Sequence, residues 1–315
     1  MKINFNKIST LFLVYFLTSI MIIGQLAPIK SIEGRWDITI TKGNEKLPAW
    51  LEVSHSGVRF LNGQFVSESG SARPISKINF INDKITFSIP PQWDDSETDL
   101  SVEAYLKDDQ LSGIMHTPKG EILNWVGVRA PKLINTKTPI WGKPISLFNG
   151  KNLLGWQALG AENQWVAENG ILKSPKSGSN LRTIRTFDDF KLHVEFRYPK
   201  ESNSGVYLRG RYEVQVTDSK GRDPLKDQLG AIYGFIAPLE IPAKEAGEWQ
   251  SFDITLIGRI VTVALNGKTI IHKNEIPGIT GGALDSNEGQ PGPIFFQGDH
   301  GPIEYRNIVI RPALK

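Results

Sequence analysis

The feature that most constrains this chain is the strict alternation of apolar and polar residues in short runs, as in Trp36-Asp37-Ile38-Thr39-Ile40 and Val102-Glu103-Ala104-Tyr105-Leu106. Successive side chains of an extended strand point to opposite faces, so a period of two makes one buried face and one wetted face. About eight such runs lie between Ile32 and Val128, separated by turn-forming clusters such as Asn82-Asp83-Lys84, Lys107-Asp108-Asp109-Gln110 and Pro118-Lys119-Gly120. Evenly spaced short strands hide their edges most simply by closing on themselves, which predicts a small antiparallel β-barrel over residues 31–130.

The opening Gly34-Arg35-Trp36 resembles the first-strand signature of lipocalin-like barrels. The inward candidates Trp36, Phe80, Phe87 and Leu106 are bulky, so the interior is expected to be packed. Residues 131–143 carry two prolines and little periodicity, the mark of a linker. Alternation then resumes to the C-terminus, broken only around Lys220 to Gln228 and Ala243 to Gly247. An all-β segment of this length, residues 144–315, is built most economically as two packed antiparallel sheets, whose outer faces remain available to a ligand.

Composition narrows the functional classes. Lys2 and Lys7 precede Leu11 to Ile23, an uncharged apolar stretch of 13 residues. A spanning helix needs about 20, so residues 1–27 read as a signal peptide and the protein as exported, periplasmic or secreted, without a membrane span. The absence of cysteine excludes a disulfide framework, a thiolate metal site, a cysteine nucleophile and a lipid-modified N-terminal cysteine. The formal charge is +3, of which Lys2 and Lys7 supply two, so no basic field is present to attract nucleic acid.

Within Lys191 to Arg197, Leu192, Val194 and Phe196 share one face and His193, Glu195 and Arg197 the other. Val206 and Leu208 likewise oppose Tyr207 and Arg209, and Val214 and Val216 oppose Glu213 and Gln215. Glu, Arg, Tyr, Gln and His together form a face suited to gripping hydroxyls and stacking on sugar rings. The plainer reading of any one of them is a solvated cross-strand ion pair. No H-E-x-x-H or G-x-S-x-G motif is present, and Gly267-Lys268-Thr269 lacks the upstream glycine of a phosphate loop, position 262 being Thr; Asn266-Gly267 is a hairpin turn. The histidines are scattered singly, with no metal-ligand spacing. His300 stands apart, in the loop Gly298-Asp299-His300-Gly301.

Leu147-Phe148-Asn149-Gly150-Lys151-Asn152-Leu153-Leu154-Gly155-Trp156 resembles the opening of the 3-keto-disaccharide hydrolase domain family. Trp165 to Leu172, Asn203 to Arg209, Tyr212 to Val216, Gly230 to Gly234, Gly247 to Gln250 and the closing Pro293 to Gln297, His300-Gly301 and Tyr305 to Ile308 follow in the family's order, so the resemblance spans about residues 145–312. It implies a concanavalin-like jelly roll acting on glycosides already oxidised to a ketone at carbon 3. Such a ketone acidifies the carbon 2 proton. A base removes it, the carbon 1 group leaves by β-elimination, and water adds back. On this resemblance Glu213 or His300 is the base, Arg197 and Arg209 stabilise the enolate, and Glu195 orients an arginine. His193, Tyr207, Gln215, Asp218, Tyr233 and Gln297 are the sugar-binding candidates, with Asn203 shaping the approach. Direct hydrolysis by a Glu195–Glu213 pair is the competing route. No cofactor is required, although a divalent cation on Glu213 and His300 would polarise the ketone. A non-catalytic carbohydrate-binding module on the same sandwich is the alternative function.

Overall fold

A computed structural model describes residues 31–314 apart from 59, 93, 94, 136 and 161; the signal peptide expected over residues 1–27 lies outside the described residues. The alternating runs form strands throughout, and no helix occurs among the described residues. Strands β1 (Gly34–Lys42), β2 (Glu45–Ser56), β3 (Phe60–Val66), β4 (Arg73–Ile81), β5 (Lys84–Ile89), β6 (Leu100–Lys107), β7 (Gln110–His116) and β8 (Ile122–Arg129) pair in sequence order, and β8 returns to β1 to close a barrel. Two of its hairpins turn on Asn82-Asp83 and Asp108-Asp109, all four residues at positive φ (50° and 61° in each pair). That is the mirror-image turn whose twist matches the flanking strands, and Asn and Asp tolerate it.

Trp36, Ile38, Leu51, Phe65, Phe87, Leu106 and Trp125 fill the barrel interior, with Phe80 partly buried against them. Trp36 plugs one end. Its indole Nε1 donates to the Ile32 carbonyl (3.0 Å), and the Arg129 guanidinium stacks 3.8 Å from its ring. The interior is packed, as the sequence predicts, with Ile40, Leu100 and Met115 in the same buried cluster. At the mouth away from Trp36, beside residues 67–69 and 117–119, lies a cavity of about 280 Å³.

After residue 144 the remaining strands are β9 (Ile145–Ser146), β10 (Trp156–Leu159), β11 (Val166–Glu168), β12 (Ile171–Ser174), β13 (Asn180–Phe187), β14 (Phe190–Arg197), β15 (Asn203–Leu208), β16 (Tyr212–Thr217), β17 (Gln250–Ile257), β18 (Ile260–Leu265), β19 (Lys268–Glu275), β20 (Gly292–Phe296) and β21 (Ile303–Pro312). They make a jelly-roll sandwich of a five-stranded sheet, β10-β13-β20-β15-β16, and a larger sheet, β11-β12-β21-β14-β17-β18-β19, with β9 against β21. Leu192, Val194 and Phe196 from one sheet meet Val206, Val214 and Phe296 from the other in a shared core. The hairpin at Asn266-Gly267 joins β18 to β19 with both residues at positive φ, as the dipeptide requires.

Barrel and sandwich share a buried seam. Trp50 and Val66, on the outside of the barrel, belong to the sandwich core. The Trp50 indole packs edge-on against Phe235 (5.3 Å, 86°) and lies directly on Gly278, where a Cβ would come within 2.1 Å of its Nε1. Truncating a tryptophan buried this fully costs about 3–5 kcal/mol. Beside it, Asp37 of β1 is buried next to Glu288, whose carboxylate accepts from Tyr212 (2.8 Å) and from Arg259. Burial, then the adjacent Glu288 charge, hold Asp37 well above the usual carboxylate range, against the pull of Arg259 and Arg211. The folded protein therefore keeps a proton that the unfolded chain releases near 3.8, and stability falls as pH rises above that value. Asp37→Asn is expected to flatten this decline: between about pH 5 and about pH 8 the melting temperature of the wild type drops relative to the variant in a thermal-unfolding series. Parallel profiles would show that Asp37 is ionised in the fold.

Candidate functional site

The site is built on the outer face of the five-stranded sheet. Tyr207 lies opposite Glu213, Gly205 opposite Gln215, and Asn203 opposite Thr217, so these side chains share one face by strand parity. Gln297, just past β20, joins them, its backbone N–H donating to the Gly205 carbonyl (3.0 Å). Gly205 is the floor. A Cβ there would stand 2.3 Å from Glu213 Oε1, so the missing side chain is what lets the carboxyl lean across the centre of the face.

The open edge of β16 is covered by residues 228–236. Ala231 O accepts from the Gln215 amide (2.9 Å), and the Tyr233 amide donates to Glu213 O (3.1 Å). The Glu213 amide donates to the Thr280 hydroxyl (3.0 Å). Under this cover Glu213 is 3% exposed. Its Oε2 lies 2.9 Å from Tyr207 Oη, and the same hydroxyl lies 2.8 Å from the Gly281 carbonyl. A phenol has one proton and a backbone carbonyl can only accept, so both contacts are satisfied together when Glu213 carries a proton of its own. Its acidity agrees. Burial pushes the carboxyl up to about 8, with Tyr207 and the His300 charge pulling it down and Asp299 adding to the rise. Tyr233, half-buried nearby, is raised by burial, by Glu213 and by Asp227.

At the end of the face His300 Nδ1 lies 2.5 Å from Asp299 Oδ1. Burial opposes ionisation of Asp299, but the hydrogen bond and charge of His300 and the bond from Asn180 lower its pKa overall. An ionised carboxylate only accepts, so Nδ1 carries the proton and Nε2 is left as the acceptor. The same bond and the Asp299 charge raise His300 above 6.5, more than burial lowers it. Asn203 Oδ1 and Gln297 Oε1 are buried acceptors on this face with no donor among the described residues. Among the described residues no set of three His, Asp or Glu side chains gathers as metal ligands.

Of the residues singled out from the sequence, Asn203, Tyr207, Glu213, Gln215, Tyr233, Gln297 and His300 come together here. Asp218 sits beyond the end of β16, where its carboxylate accepts from the Glu201 amide (3.1 Å) and finishes the strand. His193, Glu195 and Arg197 do not join the group. They lie on β14, which pairs with β17 and β21 in the other sheet, so their polar face points away from Glu213. There His193 meets Asp253 (2.7 Å), Glu195 accepts from Arg306 (2.6 Å) and Asn307 (2.7 Å), and Arg197 donates to Glu304 (2.6 Å). These are the cross-strand ion pairs of the plainer reading. Arg209 is displaced for another reason: its φ of 52° in the turn after β15 breaks the alternation and sends the guanidinium to Gly258 O (2.7 Å) and Tyr212. The arginine the face does carry is Arg182 on β13, opposite Phe295, which in turn lies opposite Tyr207. Asp299 was legible as the neighbour of His300; Arg182, Thr280 and Gly281 carried no sequence signal.

An all-β sandwich with an acid, an imidazole and amide groups on one sheet face is the class the geometry defines. Residues 143–311 match the 3-keto-alpha-glucoside-1,2-lyase-like domain family, more than half of the chain, and the protein belongs to that family. A 3-keto-disaccharide hydrolase of Bacteroides thetaiotaomicron is 25% identical over 166 residues, 40% of this chain. The match spans 57% of that relative's length. A solved structure from Parabacteroides distasonis ATCC 8503, carrying a provisional glycosyl hydrolase name, is 28% identical at a TM-score of 0.47, covering 57% of this chain and 93% of the other. A carbohydrate binding module from Bacillus subtilis is 11% identical at a TM-score of 0.35, covering 50% of this chain and 96% of the module.

Replacing Asp299 by Asn removes the carboxylate charge that raises His300 and leaves a neutral amide oxygen to accept from Nδ1–H. The imidazole of Asp299→Asn is expected to titrate at lower pH than in the wild type when followed by proton NMR, and an unchanged midpoint would mean that Asp299 does not hold the ring.

Proposed function

We propose that this protein is an exported enzyme, with a leader, a barrel and a catalytic sandwich, that cleaves 3-keto-glycosides, 3-keto-disaccharides among them, by β-elimination followed by hydration. The observation that carries this reading is a buried Glu213, held neutral beside Tyr207 over the Gly205 floor, with an Asp299-oriented His300 at the end of the same face. His300 Nε2 takes the carbon 2 proton, and the electron pair left behind moves into the carbon 3 carbonyl. Glu213 gives its proton to the oxygen where that charge develops, the Tyr207 hydroxyl turning its own proton from Gly281 O to the carboxylate left behind, and takes it back when the carbonyl re-forms. The enolate then collapses, the bond from carbon 1 to the leaving oxygen breaks, and His300 returns its proton to the departing group. Water adds across the new double bond. Asn203, Gln297 and Tyr233 border the sugar on the same face.

The conventional glycosidase route needs two opposed carboxyls flanking one bond. Glu195, the partner considered for Glu213, is held on the other sheet by Arg306 and Asn307, and Asp299 is engaged by His300. This favours elimination.

Purified protein incubated with a 3-keto-glucoside and its unoxidised parent is expected to release the aglycone from the ketone alone. Release from both would overturn the ketone-dependent mechanism, and release from neither with retained sugar affinity would make the sandwich a binding module. The profile of kcat/KM against pH is expected to be bell-shaped, rising as His300 loses its proton above 6.5 and falling as Glu213 ionises at about 8. Glu213→Gln is expected to lose about 10²-fold or more in kcat and to lose the alkaline limb while keeping the acidic one. Gly205→Ala, by pushing the carboxyl aside, is expected to lower kcat comparably without unfolding the sheet.

A further inference from the structure

We propose that Arg182 makes the protein selective for glycosides whose leaving group carries a carboxylate, a proposal that rests on the reading of Glu213 and His300 as the reacting centre. The strand register places Gln157, Arg182, Phe295, Tyr207 and Glu213 in one row across β10, β13, β20, β15 and β16, on the outer face of the five-stranded sheet. Neighbouring strands stand about 4.8 Å apart, so three steps put Arg182 about 14 Å from Glu213, a reach that a sugar ring and one further ring cover. The row also has a direction. At the β16 end residues 228–236 cover the edge, and the Gly281 and Gly282 backbone stands against Tyr207. Glu213, Tyr207 and Phe295 are buried, Arg182 is half-buried and Gln157 is exposed. A sugar seated beside Glu213 and His300 has room for its leaving group along the row, toward β13 and β10.

Arg197, Arg211, Arg259 and Arg306 of the sandwich are each neutralised by a carboxylate. Arg182 is held differently: its Nε (3.2 Å) and Nη2 (2.9 Å) both donate to the neutral Gln157 Oε1, and it meets no carboxylate among the described residues. An amide oxygen fixes the plane of the guanidinium without cancelling its charge. Because Nε and Nη2 are taken along one side, the fork of Nη1 and Nη2 at the tip is left to grip two oxygens in one plane. One such fork carries a single positive charge and two donors, which match a carboxylate better than a phosphate dianion.

The test compares two 3-keto-glucosides of nearly the same shape and different charge, with 4-carboxyphenyl and 4-carbamoylphenyl leaving groups, on the full chain. The ratio of kcat/KM, acid over amide, is expected to fall about tenfold from the wild type to Arg182→Ala, and to fall less in Arg182→Lys, which keeps the charge. Taking the change in the ratio removes the difference in leaving ability between the two phenols. An unchanged ratio in Arg182→Ala, or in Arg182→Gln should the alanine variant fail to fold, would overturn the proposal. If neither ketone is cleaved, it is the reaction assigned to Glu213 and His300 that fails, and the selectivity is read instead by isothermal titration of the same two ketones. Binding of the acid that weakens about tenfold in Arg182→Ala, with a smaller loss for the amide, supports the proposal. Equal losses for both, or binding of neither, would overturn it.

Discussion

Residues 276–290 are clamped between barrel and sandwich, and the geometry of the candidate site depends on that clamp. On the barrel side Gly278 receives the Trp50 indole, Gly282 donates to Glu68 O, and Glu288 meets Asp37. On the sandwich side Thr280 accepts from the Glu213 amide and Gly281 O lies against the Tyr207 hydroxyl. The barrel falls outside the family match, yet it sets the position of the wall that buries the acid. A seam closed by a fully buried tryptophan and a satisfied glutamate is stiff, because neither group can be withdrawn without leaving a void or an unpaired charge.

Burying a carboxyl without a paired cation is expensive, and the protein resolves the cost by keeping the proton. At Glu213 that choice is read twice, from the hydroxyl that cannot serve two acceptors and from the upward pKa. The same physics acts on Asp37 in the seam, away from the candidate site. What separates the two carboxyls is the company they keep: Glu213 shares its face with an oriented imidazole and with amide oxygens that lack donors, whereas Asp37 faces Glu288 and arginines.

Much of the fold was legible because its signals are local. Alternation marked the strands, and Asn82-Asp83, Asp108-Asp109 and Asn266-Gly267 announced turns at positive φ that their side chains tolerate. The site was legible only in part, since parity says which side of a strand a residue occupies and not which sheet the strand enters. Glu195 and Glu213 have the same parity relative to the core, yet β14 and β16 enter opposite sheets. Arg209 failed for a different reason, a single left-handed residue that resets the alternation. Thr280 and Gly281 act through backbone position and a lone hydroxyl, set by the seam rather than by any pattern in the chain.

The central claim is that Glu213 is a neutral acid in the folded protein at neutral pH. Its carboxyl carbon, labelled with ¹³C and assigned by difference from Glu213→Gln, reports this directly through a pH titration. The account predicts a protonated signal at neutral pH that ionises at about 8. A Glu213 signal that is already a carboxylate near the ordinary value of 4.5 would contradict it.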